Sequence, residues 1–340
     1  MSSATIFSTF IASIIGLFIT LLFTHSIIRL MKKLKLGQYI RTWGPTLHQH
    51  KSGTPTMGGL AILVGLGCSI CYLWFQVPSI RNYLTLILIS TFGFGLIGIV
   101  DDLISLRAGK SKGLGAIQKI IGQCVVSVVF LYFAIELLES PVQIMIPFRI
   151  NEIVLPVYLF YVIVLVIVVG TVNSLNLTDG LDGLAIGATI VTIVGFTVFV
   201  TPCLLAALIP FIAVGIVFFW FNFHPAKVFM CDTGAFALGG FIGAVTVITR
   251  SELYLPFLGF LFFLDALSVI VQVTYYKVCG RRIFKISPLH HHFEKATGID
   301  YEYLLPNLEW DEPLITARLL VLHSLAVGAG VFIYFYWTPV

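Results

Sequence analysis

Residues 154–200 read VLPVYLFYVIVLVIVVGTVNSLNLTDGLDGLAIGATIVTIVGFTVFV, and the order of polarity along this stretch decides the architecture. An apolar run over 154–172 gives way to the polar segment 173–183, and a second apolar run follows over 184–200. Runs of this kind approach the ~20 residues needed to cross ~30 Å of hydrocarbon. Backbone in lipid must satisfy its own hydrogen bonds, so the runs read as helices. Between them, Asn173, Asn176, Asp179 and Asp182 recur at every third position, with Gly180 and Gly183 among them. Such spacing lines one side of a tight helical turn, or of a loop where backbone approaches a ligand. Asn and Asp together supply the donors and acceptors that a nucleobase or ribose requires. A plain polar turn between two spans is the alternative.

The same alternation extends in both directions. Ten apolar runs fall at 5–31, 57–77, 83–100, 117–136, 154–172, 184–200, 204–221, 235–249, 253–276 and 314–337. With 58% hydrophobic residues and 11% charged, the chain lies far from a soluble domain, which is roughly half apolar and about a quarter charged. The expected fold is an all-α, polytopic integral membrane protein of about ten transmembrane helices, with residues 1–340 as one transmembrane domain. No basic residue precedes the first run, while Arg29, Lys32, Lys33 and Lys35 follow it, so it is not a cleaved leader. The positive-inside rule then puts both termini on the outer side, and threading ten spans leaves only Arg81, Arg149 and Arg250 of the 20 Lys and Arg there. The loops 32–56, 101–116, 173–183, 222–234 and 277–313 become cytosolic, and 137–153 becomes an outer segment able to form a hairpin. The six cysteines lie mostly within apolar runs and read as small packing residues rather than a disulfide framework. The net charge of +4 suits anionic headgroups or phosphates better than nucleic acid.

Asp101, Asp102, Asp179, Asp182 and Asp232 sit at the cytosolic ends of four different spans. A carboxylate beside hydrocarbon is costly unless paired, so five of them on one face indicate a site. Asp101 and Asp102 are adjacent, point about 100° apart on a helix and cannot act as one clamp. At the end of a span they also oppose the helix dipole. Asp232 and Thr233 stand where the eighth span begins; that position could be simple capping, yet a helix N-terminus also favours phosphate, with a carboxylate beside it able to hold Mg²⁺. His290, His291 and His292 lie in the last large loop, badly spaced for zinc and better suited to donating to phosphate or orienting an acid. Gly93, Gly95 and Gly98 match a dinucleotide fingerprint but lie inside a span, where they serve helix packing. Gly53-Thr-Pro-Thr56-Met-Gly58-Gly59 lacks the ending of a phosphate-binding loop, though with Lys51 beside it the turn could still touch phosphate. Asp265 is the one acid deep in a span, either paired with a neighbouring helix or marking a proton path.

These motifs, in this order from about residue 45 to 294, resemble the phospho-N-acetylmuramoyl-pentapeptide transferases of the polyprenyl-phosphate N-acetylhexosamine-1-phosphate transferase superfamily. Lys51 with GTPTMGG, Asp101-Asp102, NSLNLTDGLDGLA, FNFHPA, DTGAFALGG and PLHHHFE carry the likeness, and PLHHHFE separates this branch from relatives that use UDP-N-acetylglucosamine. The resemblance implies ten spans, Mg²⁺ dependence, a bacterial inner-membrane location with the active site facing the cytosol, and a homodimer as one assembly it allows. It implies transfer of phospho-MurNAc-pentapeptide from UDP-MurNAc-pentapeptide to undecaprenyl phosphate, giving lipid I and UMP in the first membrane step of peptidoglycan synthesis. By motif, Asp232 corresponds to the Mg²⁺ ligand. Asp101 corresponds to a base or lipid-phosphate contact, with Asp102 beside it. Asn176, Asp179 and Asp182 correspond to the uridine side, with Phe229 as a stacking partner and Gln272 nearby. Lys51, Thr56, Lys119, Asn222 and His290 to His292 correspond to substrate and phosphate contacts. Cys231 stands where Gly is usual, Ala235 where Ser is, Ile117 where a basic residue is common and Asp265 where Glu is, and about ten extra residues occupy 296–308. A sister enzyme using another UDP-sugar and, from a different class, a secondary transporter are the alternatives; a transporter would gather its acids near the bilayer midplane.

Overall fold

A computed structural model of the chain describes residues 2–37, 51, 53–108, 113–138, 142–149, 153–295, 299 and 301–337. Most of the 32–56 loop, Lys110, Lys112 and part of the 296–308 insertion therefore lie outside the described residues. The described chain is a helical bundle. Its long helices are α1 (Ser3–Leu34), α2 (Gly59–Gln76), α3 (Arg81–Ala108), α4 (Ala116–Leu137), α5 (Val157–Thr178), α6 (Leu184–Phe196), α7 (Pro202–Asn222), α8 (Cys231–Ile248), α10 (Phe260–Cys279) and α12 (Glu312–Trp337), with the single turns α9 (Leu255–Leu258) and α11 (Leu289–His292) between them. Among the described residues, nine helices are long and apolar enough to cross a membrane, and the 13-residue α6 is shorter. Nine of the ten apolar runs each become one helix and the run 253–276 is divided, and the protein is an all-α multi-pass membrane protein.

Two boundaries near the functional residues differ from the sequence reading. The third span does not stop before Asp101: Leu103 and Ile104 continue the apolar pattern, and α3 ends only where the Gly- and Ser-containing segment after Ala108 begins. Both aspartates consequently lie two turns inside the helix, and a clash with its C-terminal dipole is not their defining feature. The run 253–276 is broken at Gly259, between α9 and α10. The outer hairpin forms as two short antiparallel strands, β1 (Gln143–Ile144) and β2 (Ile153–Val154), and Arg250 joins it through Met145 N–H and Gln143.

The bundle is organised around α8, in which every residue from Thr233 to Val247 is buried. It packs along α3 and α5, with α2 and α6 completing the surround. Close approach depends on small residues, because lipid offers no hydrophobic drive for helix association and contact must come from packing. A methyl group at Gly98 of α3 would collide with the Asp232 carbonyl, and one at Gly59 of α2 with the Gly234 backbone. The first of these positions belongs to the Gly93–Gly98 run, so these glycines bring helices together. Phe7, Phe10 and Leu22 on α1, Val125 and Tyr132 on α4 and Phe332 on α12 point away from the bundle, as a lipid-facing surface requires.

Candidate active site

The site begins at the N-terminus of α8. Phe229 N–H donates to the Pro55 carbonyl, while Gly58 and Gly59 N–H donate to the Phe229 and Met230 carbonyls. The GTPTMGG turn is thus stitched to the segment before α8, and the two glycine amides are committed to protein backbone rather than free to cradle phosphate. Cys231, the first residue of α8, has φ of 58°, the left-handed region that favours glycine. This accounts physically for the Gly expected there by resemblance.

Asp102 caps the same helix. Its carboxylate accepts from Thr233 N–H at 2.9 Å, Thr233 Oγ1 at 2.6 Å and Asp232 N–H at 3.3 Å, satisfying donors that a helix start leaves unpaired. Asp101 turns elsewhere, accepting from Leu114 N–H at 2.6 Å and facing Lys119 Nζ at 3.1 Å. Lys119, from α4, also lies 2.5 Å from Asp232, whose other oxygen accepts from Asn176 Nδ2 at 2.9 Å. Side chains from α3, α4, α5 and α8 therefore converge on one polar cluster, with Asp232 and Lys119 still partly open.

A second cluster forms around Lys51. Its ammonium bridges Asp182 at 2.7 Å and Glu312 at 2.5 Å, in a place where Lys51 is 8% exposed, and it lies 5.8 Å from the centre of the half-buried Phe229 ring. Asp182 also accepts from Ala226 N–H and pairs with His224 Nδ1, while Glu312 accepts Asp182 N–H at 2.7 Å. Burial works to lower the Lys51 pKa, but Glu312 and then Asp182 outweigh it and hold the ammonium above its usual range. Burial likewise works against the Asp182 carboxylate, and Lys51, followed by Ala226 N–H, reverses it and leaves the group below its usual range. Asp179 sits between the clusters. Burial first, and then Asp232, raise its pKa well above the ordinary carboxyl range.

The three histidines have separate surroundings. His290 Nδ1 bonds Asp265 Oδ2 at 2.8 Å, and His291 Nδ1 bonds Glu294. The Nε2 atoms of both rings face Gly180, where a methyl group would strike them. His292 is spent on structure: Nδ1 accepts Lys285 N–H at 3.0 Å, which places the ring proton on Nε2, facing the Pro306 carbonyl at 3.4 Å. The described part of the insertion fastens this turn further, with Tyr301 donating to the Lys285 carbonyl, and Glu309 just beyond it pairs with Lys285. Gln272 and Asn222 play comparable parts. The Gln272 amide oxygen accepts Ile283 and Phe284 N–H, and Asn222 accepts Gly183 N–H while donating to the Val228 carbonyl. Thr56 is buried, with its hydroxyl unpartnered among the described residues.

Asp101, Asp102 and Asp232 present oxygen atoms within 4.8 Å of one another. Two of them already share an ammonium, so the geometry is complementary to a cation, and an all-oxygen donor set suits Mg²⁺. The other acidic group, Asp182, His224 and Glu312, encloses the Lys51 ammonium instead. Sequence reasoning missed Glu312, His224 and Thr233 as members of these clusters. Glu312 follows Asp311 in a stretch that reads as an ordinary helix entry, and only the packing of α12 against α6 brings it to Asp182.

A family model described as glycosyl transferase family 4 matches residues 84–250, and a phospho-N-acetylmuramoyl-pentapeptide-transferase signature matches residues 51–63. Curated relatives carrying the name phospho-N-acetylmuramoyl-pentapeptide-transferase align over most of the chain. The protein from Halalkalibacterium halodurans is 41% identical over 91% of this chain and 95% of its own. That from Desulforamulus reducens is 42% identical over 84% and 86%, and that from Staphylococcus saprophyticus 42% identical over 84% and 90%.

Proposed function

Since the chain belongs to the phospho-N-acetylmuramoyl-pentapeptide-transferase family, we propose that it transfers phospho-MurNAc-pentapeptide from UDP-MurNAc-pentapeptide to undecaprenyl phosphate, releasing UMP and forming lipid I for peptidoglycan synthesis. An oxygen of the lipid phosphate attacks the sugar-linked phosphorus of the diphosphate. One P–O bond forms, the P–O bond to the uridine-bearing phosphate breaks, and that phosphate leaves as UMP with the bridging oxygen. The attacking oxygen is already anionic, so the reaction needs positioning and charge neutralisation more than a strong base.

The observation that carries this reading is the convergence of Asp101, Lys119, Asn176 and Asp232 at the start of α8, backed by Asp102. Asp232, with Asp101, would hold Mg²⁺, which when bound supplies positive charge for the diphosphate. Lys119 is placed to neutralise a phosphate oxygen, and Asn176 orients the Asp232 carboxylate. Lys51, Asp179 and Phe229 form the adjoining wall, with Phe229 half-buried and available for stacking on a base and Asp179 able to pair with its edge. The predominance of basic residues in the loops at this end supports a cytosol-facing site in a bacterial inner membrane.

The test is UMP release from UDP-MurNAc-pentapeptide by detergent-solubilised protein with undecaprenyl phosphate, with and without Mg²⁺, beside a parallel arm with UDP-GlcNAc. Asp232→Asn is expected to abolish release while the protein stays folded and inserted. Full activity of that variant would remove the metal assignment, and turnover of UDP-GlcNAc alone would place the chain in a sister branch.

A further inference from the structure

Asp265, to which no role in the transfer has been given, is paired with His290. Both are fully buried. One oxygen of Asp265 meets His290 Nδ1 at 2.8 Å, and the other accepts His290 N–H at 3.3 Å, so the whole carboxylate is turned to a single residue. The Ser268 hydroxyl, one turn along α10, donates to the Asp265 carbonyl and accepts Leu289 N–H at 2.9 Å, which pins α11 in the same place. An ionised carboxylate can only accept, so the proton of this contact sits on Nδ1 and the remaining ring nitrogen is Nε2. That atom is buried and has no hydrogen-bond partner among the described residues. It lies against Gly180, where an added methyl group would come within 2.4 Å of it, so only a glycine fits in front of the ring. A buried polar atom without a partner forfeits about 1–3 kcal/mol, so an orphan aimed beside the acidic cluster calls for a ligand.

We propose that Asp265 is a positioning residue for the transfer, holding the His290 imidazole so that Nε2 points past Gly180 and bonds a phosphate oxygen of the diphosphate substrate. The inference rests on the phosphosugar-transfer reading above. To donate to a phosphate oxygen the ring must carry a proton on Nε2 as well as on Nδ1, and the Asp265 carboxylate balances that charge where water is excluded. Asp265 itself stays behind the ring and touches no substrate. His291, backed by Glu294, also lies against Gly180 from the neighbouring position.

The experiment measures UMP release by the full-length protein in detergent for wild type, Asp265→Asn, Asp265→Glu, His290→Ala and the Asp265→Asn/His290→Ala double variant, with thermal unfolding of each. Outer partners of functional groups are typically worth about 10–100-fold, so Asp265→Asn should lose that much in kcat. Its KM for the UDP substrate should change little, because the contact strengthens as charge shifts in the transition state. Asp265→Glu, which keeps the carboxylate, should recover most of the loss, and the double variant should be no slower than His290→Ala alone. Wild-type kcat in Asp265→Asn, or losses that multiply in the double variant, would overturn the proposal. Should Asp265→Asn fail to fold, Gly180→Ala decides, since its methyl group pushes on Nε2 without touching Asp265: the same fall in kcat sustains the proposal, and unchanged turnover ends it. A wild-type protein that releases no UMP would overturn the parent reading and this one together, whereas an active wild type with an indifferent Asp265→Asn overturns this one alone.

Discussion

Replacing Lys51 by Met removes the cation from a buried pocket while keeping most of the side-chain volume. At an effective permittivity of ~20, unit charges 2.7 Å apart interact by about 6 kcal/mol, and Lys51 makes two such contacts, to Asp182 and Glu312. Burying the ammonium offsets much of that gain, and removal of one member of a buried ionic group typically costs about 3–5 kcal/mol. Among the described residues, Asp182 would keep His224 and Ala226 N–H, whereas Glu312 would keep the Asp182 N–H and a His224 nitrogen 3.8 Å away. Glu312 is the more stranded group, and the Lys51→Met/Glu312→Gln double variant should therefore recover about half of the loss. The pH dependence follows from the two shifts. Lys51, raised, contributes at every pH below its unfolded value of 10.5 and loses that contribution as pH rises through its folded value. Asp182, lowered, contributes above 3.8 and loses its contribution as pH falls through its folded value. The gap between wild type and Lys51→Met should thus hold steady between about pH 6 and about pH 9 and narrow on strong acidification, as the stranded carboxylates protonate. Unfolding followed by intrinsic tryptophan fluorescence in detergent measures it. A variant as stable as wild type at neutral pH, or a gap that ignores acid, would refute the account of this cluster.

Cys231→Gly should stabilise the protein by up to about 1 kcal/mol, since relief of roughly 1–2 kcal/mol of left-handed strain exceeds the extra flexibility of glycine in the unfolded chain; a lower melting temperature would contradict this. Thr233→Val keeps the shape but removes the hydroxyl that donates to Asp102, and should cost about 1.5–3 kcal/mol in the same unfolding assay. Burial lowers the pKa of both His291 and His292, so below their unfolded value of 6.5 the unfolded chain binds protons that the folded chain resists. Stability should accordingly fall as pH drops through that value, and His292→Gln should flatten the slope measured in melting temperature against pH.

Much of this was legible in the residues because bilayers impose simple rules. Run length and the cost of burying charge located the helices and singled out Asp101, Asp102, Asp179, Asp182 and Asp232. Other features depended on tertiary packing. The end of α3 was misplaced because Asp101 and Asp102 look like a stop signal, while Lys119 and Thr233 supply partners that let the helix carry them inward. Glu312 was invisible because its partners lie 130 and 261 residues away along the chain. Asn222, Gln272 and His292 correspond to substrate contacts by resemblance, and the structure sets their polar atoms against backbone. No period in a sequence distinguishes an amide that binds substrate from one that binds a loop.

The segment after α10 doubles back along it, meeting Gln272, then Ser268, then Asp265. Asp265 lies 14 residues before Cys279, about 20 Å along the helix from its last residue. Irregular backbone at such depth is tolerated only where protein encloses it or a cavity opens beside it. The turn that carries His290 is therefore enclosed by protein, with His290 and Asp265 both fully buried. In the transfer proposed above, a donor held against this enclosed turn would meet fewer competing water molecules, which would favour a phosphate acceptor over hydrolysis.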